Sequence, residues 1–263
     1  MDKERKSNIT VTLTTDWKQH DFYIGMIKGR LTSSCPNIRI IDLSHDIPSF
    51  NIHHAAFVVR HSFSFFPSGT IHLILVNSES NLISRLLVVE YNSHIFVLPD
   101  NGIIGLLFSS TPERAYEVKF NSQGSFASLD CFSNIVKKLS SGNPIETIGE
   151  AVTDFNIKIS LRATIDESII NGSIIYIDSY NNAITNISKS LFERVGKGRD
   201  YNIFIQSNYN KISKLSTTYN EVEPGELLGL FNSANLLEIA IRNGYAAELL
   251  SLNVGGSIRV NFL

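Results

Sequence analysis

The chain has 263 residues, 43% of them hydrophobic, with 23 Lys and Arg against 25 Asp and Glu for a formal net charge of −2. That length carries a sizeable core in one large domain or two smaller ones, and the near-neutral balance without a basic stripe excludes a nucleic-acid partner. No run approaches the ~20 apolar residues of a membrane span, and the opening MDKERKSN lacks the apolar core of a targeting peptide.

Cys35 and Cys131 lack CxxC spacing and read as free thiols of a cytoplasmic protein. The 7 histidines show neither HxxxH nor HExxH spacing, and adjacent His53 and His54 would point to different faces of a helix, so no metal site is expected.

Strand-like and helix-like periods alternate over the first half of the chain, as in an α/β layer. ITVTLTT (9–15) reads as a strand, and 21–33 carries helical spacing at Phe22, Ile24, Ile27 and Leu31. IRIIDL (38–43) is a strand, and 51–66 is a helix capped by Asn51 and stopped at Pro67-Ser68-Gly69. TIHLILV (70–76) suits a central strand buried on both faces, and residues 85–99 a hairpin around Asn92-Ser93. Pro99-Asp100-Asn101-Gly102 is a turn leading into a short apolar helix, and 130–141 is an amphipathic helix.

Beyond about residue 160 helical periods thin out. GSIIYID (172–178), AITNIS (183–188), YNIFIQS (201–207), ELLGLF (226–231), LLEIAIR (236–242) and GSIRVNF (256–262) are short strands between Gly, Asn and Ser turns. The reading is an α/β N-terminal domain over 1–160 and a C-terminal β-barrel domain over 161–263.

In an open α/β sheet, ligands sit at the carboxyl ends of the strands. Asp16, Asp21, Phe50, Asn77 and Asp100 all follow predicted strands there. Asp21 fits a helix cap as well as a ligand contact, whereas Asp16 lies too far upstream to cap the same helix. A carboxylate at a strand end can accept two hydrogen bonds from a vicinal diol. In IDSYNNAITNI (177–187), a hairpin turn explains Asn181 and Asn182 but not Asp178 at a strand end. Asn232 and Ser233 fit an ordinary turn. Chemistry alone gives a polar small-molecule site that suits a nucleoside.

Six segments together carry a resemblance: TLTTDW…DFYIGMIKG, IDLSHDIPSFNIHHAAF, FPSGTIHLILV, VLPDNGIIGLL, IDSYNNAITNI and PGELLGLFNSANLLEIAIRNGYAAELL. In this order, over roughly 9–262, they resemble the S-adenosyl-L-methionine hydroxide adenosyltransferase family, which is related to the nucleophilic fluorinase and chlorinase. The resemblance implies an N-terminal α/β domain, a C-terminal β-barrel and a homotrimer with the ligand between subunits. It implies S-adenosyl-L-methionine or adenosine as ligand and no cofactor beyond that substrate. Asp16 falls on the family's ribose-diol aspartate and Asp21 on the acid for the methionine ammonium. Phe50 falls where the halogenases place a Trp against the ribose, and Asp178 on a second acid near the amino-acid end. Asn182 falls on the asparagine that reads adenine, and Ser233 on the serine near the methionine carboxylate. An acidic, aromatic-lined pocket suits a ligand carrying a sulfonium and an ammonium.

The family's hydrolases activate water with an Asp–Arg–His set. Here their Asp is Asn77, in VNSESN; Arg85 stands close to the Arg; and the His is Ala127, in SFASLD. An amide and a methyl cannot accept a proton from water. Ser80 and Ser128 fall near the hydroxyls with which the halogenases hold halide, although their inserted loop is missing and their Tyr beside the ribose is Asn77. The reading is a hydrolase with a degraded water-activating set, with Arg85, Asn77 and Ser128 as its candidate catalytic residues. Its alternatives are a non-catalytic binder of the same ligand and an adenosyltransferase using another nucleophile. His20 is the nearest substitute base in sequence, although an exposed turn fits it better.

Overall fold

Thr alternates with apolar residues along Ile9–Thr15 and makes β1, the strand around which the N-terminal sheet is arranged. The structure, a computed structural model, describes residues 9–78, 85–120 and 126–263. Within the first unit there follow α1 (Phe22–Ser34), β2 (Ile38–Ser44), α2 (Ile52–Arg60), β3 (Ile71–Leu75), β4 (Arg85–Tyr91), β5 (His94–Pro99), the one-turn α3 (Ile104–Leu107), β6 (Arg114–Lys119), α4 (Ala127–Ser140) and β7 (Glu150–Ala151). Among the described residues the strands form a seven-stranded sheet in the order β2-β1-β3-β5-β4-β6-β7. β2, β1, β3 and β5 run parallel, and β4, β6 and β7 add antiparallel.

The two-residue period of the strands sorts two cores. Val11, Leu13, Leu73 and Leu75 meet Ile27 and Leu31 of α1 and Phe132 and Val136 of α4. Ile74, Val76, Phe96 and Leu98 meet Ile52, Ala55 and Val59 of α2 and Leu106 of α3. Helices therefore cover both faces. The parallel strands send their carboxyl ends, and the loops that follow, to one edge.

Two helices depart from the sequence reading. The helix expected over 51–66 ends at Arg60, and Phe63–Phe65 is a separate 3-10 turn. The Ser62 hydroxyl donates to Val58 O (2.5 Å) and Val59 O (3.3 Å), competing with the helix ladder. The helix expected over 130–141 starts earlier, at Ala127.

The second unit begins at Leu161. It comprises β8 (Thr164–Asp166), β9 (Ile169–Ile177), β10 (Ala183–Ser188), α5 (Lys189–Gly196), β11 (Tyr201–Ile205), β12 (Ser207–Ile212), β13 (Leu227–Phe231), β14 (Leu236–Ile241), α6 (Ala246–Leu249) and β15 (Ser257–Phe262). The strands are antiparallel in the order β12-β11-β15-β9-β10-β14-β13, with β8 on β9. The two ends of this order curl toward each other: Ser216, just past β12, donates its N–H to Gly229 O of β13 (2.8 Å). Ile170, Ile203, Ile239, Val260 and Phe262 fill the interior, with Phe192 and Val195 of α5. Gly196 lets α5 close on that core, because a Cβ there would stand 2.6 Å from the Phe262 ring. The architecture is the expected one, an α/β unit followed by a nearly closed β-barrel.

A polar chain crosses the first unit. Thr12 Oγ1 is hydrogen-bonded to His72 Nδ1 (2.8 Å), and His72 Nε2 to His94 Nδ1 (3.1 Å), with Phe96 stacked on His72. Burial, aided by neighbouring His94, pulls the His72 imidazole down to about 3. The folded protein thus holds His72 neutral while the unfolded chain protonates it near pH 6.5. Stability is full above pH 6.5 and falls as the pH drops from 6.5 toward 3. We expect this group to remove about 2 kcal/mol between pH 7 and pH 5. Urea titrations at both pH values check it, and His72→Phe should flatten the acid limb.

Candidate functional site

Asp16 is the first residue beyond β1, and β1 lies between β2 and β3. Its Oδ2 accepts the Phe50 N–H (2.8 Å), from the loop after β2, and the Asn77 N–H (3.3 Å), from the loop after β3. Phe50 and Asn77 are left-handed at φ +64° and +52°, as is Lys18 at φ +69°. For L residues that conformation costs on the order of 1–2 kcal/mol each, and Asn bears it better than Phe. One carboxylate oxygen therefore fixes two strained turns. Phe50 is 72% exposed. Asp16 Oδ1 has no hydrogen-bond partner among the described residues, so it is open to a hydroxyl donor.

Asp21 caps α1, its Oδ1 accepting the Tyr23 N–H (3.3 Å). Trp17 lies between these two acids and packs on Phe126 (centroids 5.2 Å) and Tyr23 (5.9 Å), which also touch each other (4.9 Å). His20 is exposed, as a turn histidine would be. The turn is anchored by the residue just after β2, where Lys18 N–H donates to His45 O (2.9 Å) and Thr15 Oγ1 is hydrogen-bonded to His45 Nδ1 (2.9 Å).

Arg85 opens β4 and each of its three guanidinium nitrogens is engaged. Nε donates to Asp100 Oδ2 (2.7 Å), Nη1 to Glu117 Oε2 (2.6 Å) and Nη2 to Asp154 O (3.0 Å). Asp100, 3% exposed, also accepts the Asn156 N–H (2.8 Å). Arg85 thus joins β4, β5 and β6 to the chain at 154–156. Ser128 is wholly buried in the first turn of α4, after Ala127. Ser80 lies outside the described residues.

In the second unit, Asp178 follows β9 and organises the turn to β10. Its Oδ1 accepts the N–H of Tyr180 (2.9 Å) and Asn182 (2.8 Å), and its Oδ2 accepts from Asn182 Nδ2 (3.2 Å). Asn181 takes φ +61° inside this turn. Ser233 is exposed in the turn between β13 and β14. Asn232 Oδ1 shapes that turn, accepting from the N–H of Ala234 (3.0 Å) and Leu236 (3.2 Å).

The structure therefore gathers Asp16, Phe50 and Asn77 around one carboxylate, with Asp21 at the other end of the same turn, and Asp178 with Asn182 in the second unit. Sequence reasoning missed the aromatic wall of Tyr23 and Phe126, the acids that hold Arg85, and buried Glu238. An acid in the middle of the apolar run LLEIAI was the available signal for Glu238. Among the described residues no group of three or more His, Cys, Asp and Glu is arranged to hold a metal, and no helix is long and apolar enough to cross a membrane.

Residues 11–149 match the model of the SAM hydroxide adenosyltransferase N-terminal domain, and residues 172–259 that of the C-terminal domain. The chain is 26% identical to an (R)-S-adenosyl-L-methionine hydrolase of Methanocaldococcus jannaschii over 95% of each chain. It is 22% identical to a fluorinase of Actinopolyspora mzabensis, over 95% of this chain and 96% of that one. Its fold is similar to that of an uncharacterised conserved protein of Thermotoga maritima, with a TM-score of 0.83 at 24% identity, covering 96% of this chain and 99% of the other.

Removing the Arg85 guanidinium would leave buried Asp100 and half-buried Glu117 without their cation. Arg85→Ala is expected to lower stability by about 3 kcal/mol, the low end for breaking a buried pair, because Arg85 itself is 29% exposed. Chemical denaturation of the two proteins measures it. A loss below 1 kcal/mol, the range of surface pairs, would show that the cluster is not structural.

Proposed function

We propose that this chain, which belongs to the S-adenosyl-L-methionine hydroxide adenosyltransferase family, binds S-adenosyl-L-methionine and hydrolyses it slowly. Water attacks the 5′-carbon, the carbon–sulfur bond breaks, and adenosine, L-methionine and a proton leave. The observation that carries this reading is Asp16, with one carboxylate oxygen held by two backbone amides and the other open beside exposed Phe50. Asp16 takes the ribose hydroxyls and Phe50 covers the sugar. Asp21 and Asp178 attract the ammonium, Asn182 reads the base, and Ser233 meets the carboxylate. No cofactor is needed beyond the substrate.

The rate comes from the leaving group. A sulfonium departs readily, so in-line positioning and exclusion of bulk water supply the acceleration without a strong base. A second reading, a binder without turnover, is favoured by one observation: Arg85 is committed to Asp100 and Glu117 while Asn77 and Ala127 carry no base. Chromatography of the products separates the readings. Adenosine indicates hydrolysis, a 5′-adduct indicates another nucleophile, and intact bound ligand indicates a binder. Asn77→Asp combined with Ala127→His should raise adenosine release. Full general-base help is worth ~10²–10⁴-fold, and with Arg85 held elsewhere the gain should sit at the low end. A brisk native rate that this double change slows would sink the account of a weakened water site.

The protein is assigned to the cytoplasm, which its two free thiols suit. Each unit carries only part of the ligand set, and a closed ring of three copies is the assembly the family resemblance implies. Light scattering at micromolar concentration is expected to give three chain masses. A single chain mass would contradict it.

A further inference from the structure

We propose that Glu238 is the positioning residue of the C-terminal part of this site, holding through Asn232 the turn that presents Ser233 and through Tyr219 the segment that covers this face of the sheet. The inference deepens the ligand reading above and rests on it for its functional meaning.

Glu238 lies in β14, where Leu237 and Ile239 point into the barrel core. Glu238 therefore points the other way, onto the outer face, yet it is 2% exposed. It pairs directly with Ile184 of β10, the strand that the Asp178 turn leads into. The segment at 219–222 covers this face: Val222 packs on Leu228, Leu230 and Ala240, and Arg242 Nη1 donates to Val222 O (2.6 Å). Tyr219 Oη donates to Glu238 Oε1 (2.6 Å), and Asn232 Nδ2 donates to Glu238 Oε2 (3.1 Å). Burial and the Glu238 carboxylate push the Tyr219 phenol up.

A buried carboxylate is costly to desolvate, and both donors are needed to offset that cost. A Leu or Val would serve the apolar cluster better if packing were its only role. What Glu238 adds is direction. Asn232 Oδ1 already accepts two turn amides, so its amide group cannot rotate, and only an acceptor opposite Nδ2 matches it. Ser233 therefore inherits its position from the carboxylate two strand residues away from the turn.

Asn232→Asp sets a carboxylate oxygen against the Glu238 carboxylate at unchanged volume. Loss of that hydrogen bond should weaken S-adenosyl-L-methionine binding by roughly 3–10-fold in calorimetry. Hydrogen exchange at the Ala234 and Leu236 amides should accelerate by a similar factor. The double variant Asn232→Asp with Glu238→Gln restores a donor facing an acceptor and should return both readouts toward the native values. A merely structural carboxylate would not give rescue in this way. Unchanged exchange in Asn232→Asp, or no recovery in the double variant, overturns the proposal. If Asn232→Asp does not fold, folding of the double variant supports the matched pair, and failure of both overturns it. If the native protein binds no ligand but the exchange pattern responds as expected, the positioning stands and the ligand reading falls.

Discussion

The loops of the first unit depend on one carboxylate. Asp16 emerges at the end of the strand that parallel pairing places between β2 and β3, so its short side chain reaches the loops after both. Two amide donors on one oxygen fix Phe50 and Asn77 in conformations that neither residue would hold alone. The charge-assisted bonds are each worth about 1.5–3 kcal/mol, enough to outweigh a left-handed residue at about 1–2 kcal/mol. The exposed position of the Phe50 ring follows from this balance. The ring stands out from the surface because its backbone is pinned beneath it.

The same sheet uses its arginine differently from what position in sequence suggests. Arg85 stands one strand away from the parallel set, at the start of the antiparallel addition, where β5 and β6 present Asp100 and Glu117 to it. A planar guanidinium facing two acids and a carbonyl satisfies its donors best by staying there. It then holds the segment at 154–156 against the sheet. A water-activating role would require giving up contacts on which buried Asp100 depends.

Strong period made the centre of each unit legible. β1 and β3 are read correctly to within a residue because burial on the sheet faces leaves no other pattern open to them. β6 was missed because RAYEVK alternates charges, and it is a strand only through partners distant in sequence: Arg114 pairs with Glu90 and Glu146, and Glu117 with Arg85. α5 was missed because it spans little more than two turns, and its Ser188 cap resembles one more loop serine among many. β12, with SNYNKI, has almost no apolar face and is held by β11. In the candidate site, positions were legible and partners were not. Asp16 could be placed at a strand end, but that its Oδ2 would be taken by Phe50 and Asn77 depends on which strands neighbour β1.

Capping and ligand contact are not exclusive roles for an acid at a strand or helix end. Asp16 and Asp21 each commit one oxygen to backbone N–H groups, and Asp178 commits both oxygens to its turn. A carboxylate offers about four acceptor directions, so such a commitment still leaves lone pairs facing outward. The backbone contacts remove the rotamer freedom that a ligand would otherwise have to freeze, so a cation would meet charges already in place. Acids fixed in this way are suited to holding a sulfonium and an ammonium. They are poorly suited to following a proton off water, because a base must turn toward the nucleophile and each of these is anchored to its own loop. Under the proposed reading, anchored acids favour tight holding over fast turnover.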